Sequence, residues 1–217
     1  MSLKILICGL GSIGKKHARL IRAHFPHELF ALRTYQGHEK NDLGIPELQS
    51  WEEVDRYSFD AAFITNPTFL HLSTALECAK RKMNLFIEKP IDCKREGLEI
   101  LLKQVAKNRL SSYVAYVMRF HSKLQSLKNK LVGQKILHSR MVCASYMPHW
   151  RSRQKDHPSY SSYSAQGGGV VLDLSHEIDS TAYLFGEIKK IEGHFSKMSN
   201  LTVDSEDTAD LDRKSVV

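Results

Sequence analysis

A lysine follows a short apolar run in residues 84–90, at a position where it could take part in proton transfer. The run at 85–87 is typical of a buried parallel strand, and it ends in Glu88, Lys89 and Pro90. Ligands of an open α/β sheet bind at the carboxyl ends of its strands, so we expect Lys89 to lie at a cleft. Partial desolvation there would lower the pKa of the lysine toward a value useful for acid–base catalysis. The alternative is an exposed strand-end lysine without a chemical role.

A glycine pattern near the start of the chain could hold a phosphate group. Gly9, Gly11 and Gly14 follow the apolar run 3–8 and open a helical pattern over 12–24. In a dinucleotide site the first glycine allows the tight turn, the second lets the backbone approach a pyrophosphate, and the third lets helix and strand pack closely. The helix N-terminus then offers free N–H groups to the phosphates. A purely structural glycine turn is the alternative.

The end of the second predicted strand carries an arginine where a carboxylate is usual. An NAD site commonly places an Asp or Glu about 20 residues after the glycines, to bind the ribose 2′-hydroxyl. Residues 32–35 here are Leu, Arg, Thr and Tyr. Arg33 could bind a 2′-phosphate, so the sequence favours NADP over NAD. A solvent-facing arginine is the other interpretation.

A later glycine block, residues 167–169, leads into a helical pattern with two acids and a histidine. Asp173 and His176 are three residues apart, so their side chains would be neighbours on a helix. Asp179 lies one turn further and could orient the imidazole. A histidine flanked by carboxylates suits proton exchange with a substrate hydroxyl. A structural Asp–His pair on an amphipathic helix would show the same pattern.

Strands and helices alternate through the first half of the chain and would position these residues. Strands are predicted at 3–8, 29–32, 59–65, 84–88 and 112–117, and helices at 12–24, 51–54, 68–82 and 93–108. Ser50, Thr68 and Asp92 are predicted to cap the last three helices. This alternation predicts an α/β fold with a doubly wound parallel sheet, a Rossmann domain over residues 1–118.

The pattern changes after residue 118. A helix is predicted at 123–131, a long strand at 135–146, a helix from the glycine block to Phe185, and a strand at 188–198. Residues 212–217 do not have the pattern of a strand. We therefore predict a second α/β domain over 119–217, with a mostly antiparallel sheet that is incomplete.

Composition excludes several classes of protein. The chain has 217 residues, 42% hydrophobic and 25% charged, as is ordinary for a globular protein. No apolar run approaches the roughly 20 residues of a membrane span, and no signal peptide is evident. The net charge of +7 comes from scattered basic residues, which does not favour nucleic-acid binding.

The cysteines and histidines do not form a recognisable metal motif. Four cysteines are scattered without a C-x-x-C pair, and no pair of the eleven histidines has helical ligand spacing within a recognisable motif. We expect reduced thiols, a cytoplasmic protein and no metal site.

Together these motifs resemble the Gfo/Idh/MocA family of NAD(P)-dependent sugar and cyclitol oxidoreductases. The resemblance spans nearly the whole chain. It rests on residues 9–14 with His17, Asn66 and Pro67 with His71, the Glu-Lys-Pro at 88–90, residues 116–120 with Arg119, and the block at 167–179.

The resemblance implies roles for particular residues. Catalysis would fall on Lys89, Asp173 and His176, although many members separate this Asp and His by three residues, whereas two intervene here. The cofactor would contact Gly9, Gly11, Ser12, Ile13, Gly14, Arg33, Asn66, Pro67, His71, Glu88, Lys89 and Arg119. The substrate would contact Lys89, Tyr116, Trp150, Arg151, Arg153, Asp173 and His176. Family members continue with further antiparallel strands, so this chain resembles a shortened one.

The predicted function is hydride transfer between NADP or NAD and a carbinol carbon of a sugar, cyclitol or nucleotide-sugar, with a role in surface polysaccharide biosynthesis as one possibility. A homo-oligomer formed through the second sheet, if that sheet is complete, is also predicted. The alternative from another class is a catalytically weak nucleotide-binding sensor or assembly subunit.

A basic segment at residues 149–153 could recognise a second nucleotide. Arg151 and Arg153 stand one residue apart beside Trp150, so they could hold a phosphate bidentately while the indole stacks on a base. A solvated basic loop is the competing interpretation.

Overall fold

The computed structural model describes residues 2–34, 41–147 and 160–215, and it divides the chain into two units. The first is Met1–Ala115 and the second is Tyr116–Val217. The division falls a few residues before the boundary expected from sequence. The assignment of the two parts to cofactor and substrate stays a prediction.

The first unit is built on a parallel sheet with the strand order β3-β2-β1-β4-β5-β6. Every pairing in it is parallel, as the α/β alternation predicted. This is the Rossmann order. From β1 to β3 each new strand is added toward one edge of the sheet, and from β4 to β6 toward the other edge, so the strand order reverses between β1 and β4. The strands are β1 Lys4–Cys8, β2 Glu28–Leu32, β3 Glu47–Leu48, β4 Ala61–Ile64, β5 Asn84–Ile87 and β6 Ser112–Val114.

Helices cover both faces of this sheet, which explains why its strands are apolar on both sides. One core cluster includes Leu6, Ile64 and Ile87, and the cluster on the other face includes Ile7 and Ile21. Burying each such side chain stabilises the fold by about 1.5–3 kcal/mol. The helices of this unit are α1 Ser12–His24, α2 Trp51–Val54, α3 His71–Lys80 and α4 Leu98–Lys107.

Two of the three predicted helix caps are wrong. Ser50 does cap α2, since its hydroxyl accepts from the Glu53 N–H at 3.3 Å. Thr68 instead begins a short 3₁₀ turn, Thr68–Leu70. Asp92 lies well before α4, and its Oδ2 accepts from the Leu72 N–H at 3.1 Å. The carboxylate therefore serves the N-terminus of α3, where the helix dipole favours a negative charge.

The second unit contains three α-helices and a two-stranded sheet in its described part. The helices are α5 Ser122–Leu131, α6 Val170–Asp173 and α7 Ser175–Phe185, and the strands are β7 Ile188–Ser196 and β8 Thr208–Ser215. The strands pair antiparallel. Gly193 of β7 pairs with Leu211 of β8. A Cβ added to Gly193 would come within 2.3 Å of the Leu211 Cδ2.

Two sequence predictions for this unit are wrong. Residues 135–146 form no strand, because alternation favours an extended chain but a strand also needs a hydrogen-bonded neighbour in register. The end of the chain, predicted to be irregular, forms β8 as far as Ser215. Its charged sequence is held by the pairing with β7. No helix in the described ranges is long and apolar enough to cross a membrane.

The turn between β7 and β8 is organised by Asp207. Its carboxylate accepts from the Met198 N–H at 2.7 Å and from the N–H and hydroxyl of Ser199. These bonds, the one from Met198 first, lower the pKa of Asp207 to about 2 from its usual 3.8. They favour the ionised carboxylate in the folded chain.

Replacing Asp207 with alanine is expected to lower the free energy of unfolding by about 1 kcal/mol at pH 7, after discounting for partial exposure. Because the folded pKa is depressed, the contribution is complete above pH 3.8 and is lost as the pH falls toward 2. Urea unfolding across this range should show the wild-type and Asp207→Ala curves converging. Asp210→Ala, an exposed neighbour on β8, is the control. A constant difference across the pH range would contradict the account.

Candidate functional site

The glycine turn lies at the carboxyl end of β1, next to β4, where the strand order reverses. Gly9 has φ +94°, and a Cβ there would come within 2.7 Å of the Asn66 backbone. A Cβ on Gly14 would come within 2.2 Å of the Gly9 carbonyl oxygen. Gly11 differs, since nothing lies within 4 Å of the position its Cβ would take. Two of the glycines are thus required by the fold, and the third faces open space.

The ends of β1 and β4 are fastened together beside this turn. The Thr65 hydroxyl lies 2.6 Å from the Gly9 carbonyl oxygen and 3.2 Å from that of Cys8, so it donates to this pair of acceptors. The Thr65 N–H also donates to Cys8. Thr65 was not singled out from sequence, because a threonine at a strand end has no distinguishing local signal. It fixes the crevice between the two strand ends.

The residues around the turn fit a dinucleotide. The first turn of α1 contains no acidic residue, so its N–H groups meet no competing carboxylate from their own helix. Gly11 leaves room for a phosphate against the backbone. The Asn66 side chain donates to Thr74 at 2.8 Å, while its Oδ1 is buried without a hydrogen-bond partner among the described residues. An orphaned acceptor beside an open phosphate cradle is consistent with a bound ligand that donates to it.

Arg33 at the end of β2 is engaged by a carboxylate from β3. Its Nη1 donates to Glu47 Oε1 at 2.8 Å, and both side chains are largely buried. Burial acts to raise the pKa of Glu47, but hydrogen bonds from Asn41 and Arg33 outweigh it, so the pKa is lowered. Glu47 therefore places a carboxylate beside Arg33 at the end of β2. Sequence reasoning missed it because β3 is only two residues long.

The turn carrying Lys89 is held by a histidine of α1. Nε2 of His17 lies 2.7 Å from Glu88 Oε1, and both side chains are mostly buried. The other oxygen of Glu88 accepts from the Lys89 N–H at 3.2 Å. The ring of His17 packs against Phe63 and Phe86. Lys89 itself is half-buried two residues beyond β5. The Glu88 carboxylate thus links His17 of α1 to the backbone N–H of Lys89 and helps to hold the turn in place.

His71 joins this turn to the one after β4. Its Nδ1 lies 2.7 Å from the Pro90 carbonyl oxygen and its Nε2 lies 2.8 Å from that of Asn66, with the side chain almost fully buried. Both ring nitrogens are occupied by backbone groups, which favours a positioning role over direct contact with a cofactor. Pro67 directly precedes the 3₁₀ turn between them.

In the second unit, the glycine block makes close backbone contacts. A Cβ on Gly168 would come within 2.4 Å of the Ser161 carbonyl oxygen, and one on Gly169 would meet the Glu206 carboxylate. The helix expected after the block is broken at Leu174, which separates α6 from α7. Asp173 ends α6 and accepts from the Ser161 hydroxyl at 3.2 Å. The break means that the simple helical spacing of Asp173 and His176 does not apply.

Asp179 does not orient His176 as expected from its helical spacing. It binds Arg119 with both oxygens, at 2.8 Å from Nε and 2.6 Å from Nη2. That arginine also lies over the ring of Tyr183. His176 lies in the first turn of α7, near its neighbour Glu177, with Nε2 3.5 Å from Oε1. Tyr116 precedes the 3₁₀ turn Val117–Phe120 that carries Arg119. Trp150, Arg151 and Arg153 lie outside the described residues.

A six-stranded parallel sheet of this order, with a glycine turn at its switch point, defines a dinucleotide-binding Rossmann protein. Residues 3–116 match the family model described as an oxidoreductase family with an NAD-binding Rossmann fold. The chain belongs to this family, Gfo/Idh/MocA, as its motifs indicated.

Several curated proteins and solved structures are similar to it. The 2,7-anhydro-N-acetylneuraminate hydratase of Escherichia coli K12 is 23% identical over 84% of this chain and 49% of its own length. The myo-inositol 2-dehydrogenase of Thermotoga maritima is 25% identical over 85% of this chain and 55% of its own length. The chain thus spans about half the length of these curated relatives.

The fold also matches a solved enzyme complex. The WlbA dehydrogenase of Bordetella pertussis, solved with NADH and UDP-GlcNAcA, has a TM-score of 0.79 at 18% identity. The match covers 99% of this chain and 67% of that one. At this identity the likeness shows the fold.

Proposed function

We propose that this chain is an NAD(P)-dependent oxidoreductase that transfers a hydride between the nicotinamide and a carbinol carbon of a sugar-like substrate. The observation that carries the proposal is the lysine-bearing turn after β5. His17, Glu88 and His71 hold this turn, and His71 also bonds the turn after β4, next to the glycine loop of β1. A lysine fixed in this way at the ligand-binding edge of the sheet suits proton chemistry on a substrate oxygen.

The residues have distinct proposed tasks. Lys89 hydrogen-bonds the reacting oxygen, and His176 exchanges the proton of the hydroxyl. Asp173 contacts the substrate while its carboxylate is restrained by Ser161. When bound, the cofactor would supply the hydride chemistry. The phosphates are held by the N–H groups at the start of α1.

The substrate proposed is a polyol, either a free sugar or cyclitol or a nucleotide-sugar. The name of the Thermotoga relative supports a cyclitol, and the ligands of the Bordetella enzyme support a nucleotide-sugar. On the second possibility, Trp150, Arg151 and Arg153 would bind the nucleotide, and the product would serve surface polysaccharide biosynthesis. The proposal also includes a cytoplasmic location and, if the second sheet is complete, a homo-oligomer joined through that sheet.

A spectrophotometric assay tests this function. The full chain is mixed with NAD or NADP and a panel of inositols, hexoses and UDP-sugars, and cofactor reduction is followed. Turnover with at least one polyol supports the proposal. Cofactor binding without turnover on any of them would contradict it and support the sensor or assembly subunit instead.

Cofactor choice provides a test of Arg33. NADP is expected to bind at least as well as NAD, because a guanidinium at the end of β2 can bind a 2′-phosphate. Replacing Arg33 with alanine should weaken NADP binding by 10-fold or more, since a charged hydrogen bond contributes about 1.5–3 kcal/mol. NAD affinity should change less. Calorimetric titration with both cofactors measures this.

Glu47 supplies the matched variant. Its carboxylate competes for the same guanidinium, so Glu47→Gln should raise the affinity for NADP while Arg33→Ala lowers it. A clear NAD preference that neither variant alters would show that the Arg33–Glu47 pair only joins β2 to β3.

A further inference from the structure

A thiol, an imidazole and a carboxylate converge in the second unit. One ligand atom each from Cys143, His176 and Glu177 lies within 4.8 Å of the other two. His176 and Glu177 are adjacent in the first turn of α7, whereas Cys143 comes from residues 135–146, which form no helix or strand. No motif could reveal this cluster, because its cysteine is far from the other two residues in the chain.

The donor set and its spacing suit a transition metal. Zinc binds thiolate, imidazole and carboxylate, and catalytic or exchangeable zinc sites commonly use three protein ligands with a fourth position open. Two ligands on a tetrahedral zinc, each bonded at about 2.0–2.1 Å, are about 3.3 Å apart. The observed 3.5 Å between His176 Nε2 and Glu177 Oε1 is close to this separation. A small movement of the side chains would complete the geometry.

The cysteine is held near the helix and faces a cleft. Two residues before it, Met141 Sδ lies 3.0 Å from the Thr181 hydroxyl, a contact that joins this segment to α7. Cys143 and Glu177 line a cleft of about 1120 Å³ in this unit, together with apolar side chains such as Val170 and Ile178. A metal bound here would therefore be reachable from the cleft, and its fourth position could take water or a small anion.

A divalent cation would displace the proton of the Cys143 thiol and bind the sulfur together with the Glu177 carboxylate, because thiol ligands lose their proton when a metal binds.

We propose that Cys143, His176 and Glu177 form a binding site for a divalent transition metal, zinc above all, with one coordination position open to the cleft. A zinc ion bound to His176 would occupy the side chain that the proposed function uses for proton exchange. Zinc is then expected to inhibit the oxidoreductase, a consequence that rests on the proposed function, whereas the site itself does not.

Cobalt(II) titration of the full, reduced chain tests the site without any substrate. The expected result is a visible spectrum of a tetrahedral ion with a thiolate-to-cobalt charge-transfer band, both abolished by one equivalent of zinc. Cys143→Ser should remove the charge-transfer band, and Glu177→Gln should weaken zinc binding by 10-fold or more. Cys93→Ser is the matched control, since Cys93 is another accessible thiol in the first unit.

Each outcome decides the proposal. Absence of the cobalt bands, or a charge-transfer band that persists in Cys143→Ser but disappears in Cys93→Ser, would overturn it. Because Cys143 is exposed, its serine variant should keep the wild-type circular dichroism. Zinc inhibition of turnover that Cys143→Ser relieves would support the consequence. Cobalt bands in a chain without dehydrogenase activity would support the site and refute the proposed function alone.

Discussion

Replacing Lys89 with alanine is expected to lower kcat by about 10² or more, the usual scale for a general acid–base group. The affinity for the cofactor should stay within a few-fold of wild type, because the glycine loop and α1 are left intact. The lysine is half-buried on a turn that Glu88 and His71 hold in place. The fall in kcat should therefore come from the missing hydrogen bond to the reacting oxygen and not from a general loosening of the fold. Steady-state kinetics and NADH titration measure the two effects separately.

The control for this substitution is Lys94→Ala. Lys94 is an exposed lysine on the loop that follows the same turn, and its loss should leave turnover unchanged. Wild-type turnover in Lys89→Ala would remove this residue from the mechanism. Equal losses in both variants would indicate a general effect of charge.

Replacing His176 with asparagine is expected to cause a second large loss of turnover, again about 10² or more. Histidine exchanges protons near neutral pH and asparagine does not, so the pH dependence of kcat near neutrality should also disappear. The pH–rate profile should be measured in the presence of a chelator, so that metal bound at the Cys143 cluster does not contribute. This profile separates a proton-transfer role from a structural one.

His194→Asn provides the comparison for this variant. His194 is an exposed histidine on β7, paired in register with Asp210. Its substitution should change neither kcat nor the pH profile. A His176→Asn enzyme that keeps the wild-type profile at reduced rate would contradict the proton-exchange role, even though it is less active.

The first unit could be predicted from sequence because its signals are local. The apolar strands, the glycine turn and the helix over Ser12–His24 each follow from patterns within a few residues. The caps were less predictable, because Asp92 reaches the N-terminus of a different helix from the one that follows it. A capping residue in sequence does not specify which helix it will serve.

The second unit depends on pairings that sequence patterns do not contain. Residues 135–146 alternate and were expected to form a strand, while Thr208–Ser215 is rich in charge and was not expected to extend so far. A segment forms a strand where a neighbouring strand is available to hydrogen-bond with it, and Thr208–Ser215 pairs with β7 in this way. Strand propensity describes how well a residue fits a pleated surface and does not supply the neighbouring strand.

The candidate sites show the same difference between local and distant contacts. Helical spacing suggested that Asp179 serves His176, but Arg119 from a separate 3₁₀ turn binds both of its oxygens. Glu47 beside Arg33 and Cys143 beside Glu177 were missed for the same reason. Spacing along one helix identifies possible neighbours, and it cannot weigh them against charged groups brought in by the fold.

The central claim, that the glycine loop of this chain binds a dinucleotide, is tested most directly by titrating NADH into the wild type and Gly11→Ala. No atom lies within 4 Å of the added methyl group, so the variant should lose less than about 1 kcal/mol of stability at this N-cap position. A pyrophosphate held against the backbone would meet that methyl group directly, so NADH affinity should fall by about 10-fold or more, or about 1.4 kcal/mol. Equal NADH affinity in two equally folded proteins would contradict the account.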